Sequence, residues 1–215
     1  FAMLRGMVEL SGRPMSITIE QDDRWPTVWK RVLDNIAAAN ADGLPIRGQV
    51  PPRATGLLLG LTASLNPFIM HQTFRQIWGA PLEQQMKALR DPEFRAKLLA
   101  EEPAYPAGEI IEMLCVAYHK MFSLGERPNY EPSPEESAKA VAERTGKHPR
   151  EVVLDWMMER DGKALIYFPL MNYHCGSLAD VETMLTHPNT AFGLSDGGAH
   201  CGIICDASFP TTLLT

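Results

Sequence analysis

The chain has 215 residues, 45% hydrophobic and 21% charged, the balance of a globular protein with room for one sizeable core. Its 20 Lys and Arg against 26 Asp and Glu give a formal charge of −6 without a basic block, which argues against a nucleic-acid partner. No apolar run approaches the roughly 18–20 residues that cross a bilayer, and Cys115, Cys175, Cys201 and Cys205 do not look like a disulfide framework, so a cytoplasmic protein without a membrane partner is expected.

Met3, Leu4, Met7, Val8 and Leu10 mark a helix that Gly12 and Pro14 stop. The chain opens inside that helix without an initiator Met and closes on Leu213-Leu214-Thr215, so it reads as a piece of a longer protein. Met15 to Ile19 is a strand with a polar end, Glu20-Gln21-Asp22-Asp23. Thr27 to Asn40 is a helix with Val28, Val32, Leu33 and Ile36 on one face, ended by Asp42-Gly43. Pro45 to Val50 is a short strand before Pro51-Pro52. This alternation predicts a parallel α/β sheet.

From Arg53 to about Asn129 the alternation breaks, and the segment reads as a mostly helical insertion covering a site. It includes helices over Pro81–Leu89 and from Asp91-Pro92 to about Ala100. Ser133 and Glu136 form a capping box opening a helix to about Thr145. His148-Pro149 opens another, ended by Asp161-Gly162. Ala164 to Phe168 has the continuous apolar character of a strand buried on both faces. Ser177 caps a helix to Thr186, and Thr190 to Ser195 is a last strand that delivers Asp196.

In parallel α/β folds, ligands and catalytic groups gather at the C-terminal ends of strands. Asp196 stands at such an end before Gly197-Gly198, whose backbones can approach a substrate closely. It is either a base or metal ligand, or a turn and helix-cap residue. His200, four residues on along the Gly-rich loop, is a candidate metal ligand or substrate contact. Cys201 and Cys205 match no zinc spacing and read as core residues. Gln21 ends the first strand and is a candidate substrate contact, as is Asn172 beyond Ala164–Phe168. His174 is either a ligand or a polar strand terminus. No Walker loop, no dinucleotide fingerprint and no nucleophile elbow is present.

The stretch Ile166 to His200, with its His187-Pro188 and its terminal Ser195-Asp196-Gly197, resembles the N-acyl-D-amino-acid deacylases of the amidohydrolase superfamily. Asp42 to Pro52 and Arg90 to Ala100 share the likeness, which spans essentially the whole chain. The resemblance implies part of a TIM-like (β/α)₈ metal-dependent hydrolase barrel with an insertion at about 53–130. The barrel's upstream strands, a His-x-His ligand pair and a small β-domain would precede Phe1. It implies a divalent metal, zinc, with Asp196 as metal-associated general base. Gly197, Gly198, His200, Gln21 and Asn172 would contact a small N-acyl substrate. The isolated chain is expected to be inactive, and a homo-oligomer would cover its apolar faces. The family carries a metal-binding His at the end of the strand matching Met15–Ile19, where this chain has Glu20-Gln21-Asp22. Two alternatives stand beside the deacylase reading: a non-catalytic amidohydrolase-like scaffold, and a cyclic-amide hydrolase of the hydantoinase or dihydroorotase type.

Overall fold

A computed structural model describes residues 1–105, 109–193 and 202–214. The chain divides into two compact units, one of residues 1–56, 169–193 and 205–214, the other of residues 57–105, 109–168 and 202–204.

The first unit carries a three-stranded sheet of order β1-β2-β6, formed by β1 (Met15–Thr18), β2 (Ile46–Val50) and β6 (Thr190–Phe192). All pairings are parallel, with Met15 opposite Ile46 and Gly48 opposite Thr190. Helix α1 (Ala2–Ser11) ends on Gly12 at φ 64°, the left-handed cap that a Cβ would disfavour. Helix α2 (Val28–Ala41) buries Trp29, Leu33, Ile36 and Ala39. That stripe is turned slightly from the expected one, because the larger Trp29 takes the inward place and Val28 stays exposed. With Val8, Ile19, Ile46, Val50, Val181 and Met184, these residues form one hydrophobic core. Each large side chain so buried contributes about 1.5–3 kcal/mol. Gly48 sits in mid-strand because a Cβ there would run into the Ile19 side chain and lie 3.2 Å from Thr190 Cγ2.

A second sheet has the order β3-β5-β4, from β3 (Thr55–Leu59), β4 (Phe122–Ser123) and β5 (Ile166–Met171). Strand β5 pairs antiparallel with β4, Phe122 opposite Tyr167. Residues Ile166 to Phe168 are fully buried, as the apolar run predicts. The fold is mixed α/β, with parallel pairing as expected in the first unit; the two sheets do not close into a barrel among the described residues. Strand β3, missed by the sequence reading, lies at the start of the expected insertion.

The second unit is otherwise helical: α3 (Gln72–Arg75), α4 (Leu82–Arg90), α5 (Pro92–Ala100), α6 (Ile110–Val116), α7 (Ala138–Thr145) and α8 (Pro149–Gly162). Asp91 caps α5 by accepting from the N–H groups of Glu93 at 2.8 Å and Phe94 at 3.2 Å. The Ser133–Glu136 capping box forms, but it opens only a single 3₁₀ turn. Ser137 then caps α7 by accepting from Ala140 N. Helical backbone in α8 stops before Glu159, and Arg160 (φ 53°), Asp161 (φ 55°) and Gly162 (φ 81°) form a left-handed turn. The first unit is completed by α9 (Ala179–Leu185) and α10 (Phe209–Thr212). Among the described residues, no helix is long and apolar enough to cross a membrane.

Candidate functional site

The functional candidates collect where β1, β2 and β5 end in the first unit. Past β1, Ile19 N still donates to Gln49 O at 2.9 Å, so the ladder carries Glu20 and Gln21 to the rim. Past β5, Asn172 turns the chain at φ 63°, a left-handed conformation that Asn tolerates better than most residues.

Gln21 and Asn172 hold each other reciprocally. Gln21 N donates to Asn172 Oδ1 at 2.7 Å, and Asn172 N donates to Gln21 O at 2.9 Å. Gln21 Nε2 donates to Asp23 Oδ1 at 2.8 Å. These bonds fix both carboxamide orientations, since only an oxygen accepts from Gln21 N and only a nitrogen donates to a carboxylate. Among the described residues, Gln21 Oε1 and Asn172 Nδ2 are left buried without a hydrogen-bond partner, on side chains 0% and 1% exposed. Each such group costs about 1–3 kcal/mol until it is satisfied. One is an acceptor and the other a donor.

Asp23 also accepts from His174 Nδ1 at 3.3 Å. Next to it, Asp22 is gripped by Arg24, with Nη2 to Oδ2 at 2.6 Å, which holds the Asp22 carboxyl below the usual carboxylate range. Glu20 behaves oppositely. Burial pushes its carboxyl upward against the bond it accepts from Thr55 Oγ1, and Asp22 adds to the rise.

Beyond β2 lies an ion pair that the sequence reading missed. Arg53 Nη1 lies 3.4 Å from Asp206 Oδ1, with the side chains 2% and 1% exposed. Arg53 Nη2 donates to Cys205 O at 2.9 Å and to Ser208 Oγ at 2.8 Å, and the guanidinium lies 4.6 Å from the Phe209 ring centre. Asp206 also accepts from Gly56 N, at 3.2 and 3.3 Å. Burial still outweighs these partners and pushes the Asp206 carboxyl up to about 6, with Glu20 adding to the rise. The Cys205 thiol is pushed up to about 11, mainly by burial, so it stays protonated at neutral pH, in line with a packing role.

Of the expected site residues, Gln21 and Asn172 come together at the rim. Asp196, Gly197, Gly198 and His200 lie outside the described residues. The strand-end rule applied to Pro51-Pro52 would have drawn attention to Arg53, but nothing local marks Asp206, 153 positions away. Among the described residues, no group of three or more His, Cys, Asp and Glu could hold a metal ion. The rim can hold protons on carboxyls lifted toward neutrality and offers one imidazole oriented by a carboxylate. No protein-family model, no curated protein and no solved structure matches the chain.

Proposed function

We propose that this chain forms part of an amide hydrolase acting on N-acyl-D-amino acids or related N-acyl compounds. The observation that carries the reading is the Gln21–Asn172 clamp. Its acceptor Gln21 Oε1 and donor Asn172 Nδ2, both without a partner among the described residues, complement the N–H and C=O of an amide. The resemblance to N-acyl-D-amino-acid deacylases supports the same reaction class, and with it the parallel sheet as part of a TIM-like barrel.

In this reading Gln21 and Asn172 orient the amide, and Asp196 accepts the proton of the attacking water. A divalent metal such as zinc would lower the pKa of that water. The described residues alone do not supply a ligand set for it. A reducing, cytoplasmic setting suits the free thiols of Cys115, Cys175 and Cys205.

The test is release of free amine by the full-length protein from N-acyl-D-amino acids, set against N-acyl-L-amino acids and cyclic imides. Turnover of the D-acyl series is the expected result. Turnover confined to cyclic imides would move the function to a hydantoinase-type reaction, and no turnover of any of the three would favour a scaffold.

A further inference from the structure

His174 is a rim group that the amide-hydrolase reading does not use. His174 Nδ1 lies 3.3 Å from Asp23 Oδ1. A carboxylate only accepts, so Nδ1 carries the hydrogen and Nε2 is left to exchange a proton. Asp23 is itself held by Gln21 Nε2 at 2.8 Å, and Gln21 is locked to Asn172 through the backbone. The imidazole thus stands at the end of a chain of fixed bonds that begins at the amide-complementary clamp.

The backbone around it is arranged at a cost. Asn172 at φ 63° and Cys175 at φ 54° are both left-handed non-glycine residues, and they flank His174 within four positions. Such residues cost about 1–3 kcal/mol each and concentrate at functional sites. Exposure divides the labour. Gln21 and Asn172 are buried, whereas the His174 and Asp23 side chains are 40% and 34% exposed, within reach of a bound molecule.

Resting on the amide-hydrolase reading, we propose that His174 is the catalytic acid that protonates the leaving nitrogen, with Asp23 as its positioning residue. The imidazolium gives its Nε2 proton to the amide nitrogen as the C–N bond breaks and the bonding pair moves onto nitrogen. The amine departs neutral, and His174 remains as the Nδ1–H tautomer held by Asp23. The oxygen of the attacking water stays in the acid product. One of its protons passes to Asp196, and the other stays on the acid until it ionises. Asp196 gives its proton to solvent and solvent returns one to His174, closing the cycle.

The test compares two substrates with the same acyl group in the full-length protein. One is an N-acyl-D-amino acid, whose amine must be protonated to leave, and the other a p-nitrophenyl ester, whose phenolate need not be. His174→Gln is expected to lose about 10²–10⁴-fold on the amide and to leave the ester nearly unchanged. Equal losses on both substrates, or full amide activity in His174→Gln, would overturn the role of His174 alone. A wild-type protein that cleaves no amide would overturn the amide-hydrolase reading and this role together. Independently of turnover, ¹⁵N spectra of the His174 ring should show the Nδ1–H tautomer at high pH, and folded Asp23→Asn should lose that preference. An Nε2–H tautomer in the wild type would sink the dyad.

Discussion

The Asp206 carboxyl gives a pH signature of stability that can be worked from the structure. It is 1% exposed, and burial moves it from an ordinary value of 3.8 to about 6. The folded state therefore binds the proton more tightly than the unfolded chain does. The stability contribution is full below about pH 4 and is lost as pH rises toward about 6. A rise of roughly two pH units at about 1.4 kcal/mol per unit makes the loss about 3 kcal/mol. The assay is urea unfolding of wild type and Asp206→Asn at about pH 4 and about pH 7.5. Asparagine keeps an acceptor for Gly56 N but cannot titrate, and Arg53 stays charged throughout. Any fixed penalty from leaving Arg53 without its counter-charge is then common to both pH values and cancels. The gap between variant and wild type should move by about 2–3 kcal/mol in favour of Asp206→Asn as pH rises. A gap that stays constant, or moves the other way, would refute burial as the dominant influence on Asp206.

Two further outcomes follow from the second unit. His71 is 1% exposed, and burial, with Arg150 nearby, holds its imidazole below the ordinary 6.5. Protonation then favours unfolding, so His71→Phe should gain on wild type as pH falls through the unfolded value and into the acid range; a pH-independent difference would contradict this. Gly162→Ala should cost about 1–3 kcal/mol, because φ is 81° and the new Cβ would lie 2.7 Å from Met86 Sδ. Gly12→Ala is the control, since it shares a positive φ of 64° but meets nothing within 4 Å. Equal thermal midpoints for the two variants would remove the steric part of the argument.

What could be read in advance follows the range of the forces involved. The strands at Met15–Thr18 and Ile46–Val50 and the helices at Leu82–Arg90 and Pro92–Ala100 declare themselves through local periodicity, turns and caps. Strand β3 did not. Thr55–Leu59 runs on through Gly60 into Leu61, Ala63 and Leu65, so no turn or change of composition marks where the short strand ends. The α8 end was foreseen only approximately. Asp161-Gly162 looks like an ordinary stop, whereas the left-handed turn begins at Arg160, which no local preference favours. At the rim, Gln21 and Asn172 were visible as polar residues ending apolar strands. Their mutual bonds, the Asp23–His174 contact and the Arg53–Asp206 pair are tertiary, and no local pattern encodes them.

The Gln21–Asn172 clamp joins residues 151 positions apart. Closing so long a loop is slow, although each doubling of loop length adds only about 0.6 kcal/mol of entropy. Local helices, and β1 pairing with nearby β2, can form well before the two rim residues meet. A nascent or partly opened chain can thus retain much of its secondary structure while having no clamp at all. The clamp is a checkpoint on completed folding: the protection of the Gln21 and Asn172 amides against hydrogen exchange reports arrival at the native topology, which helix content cannot.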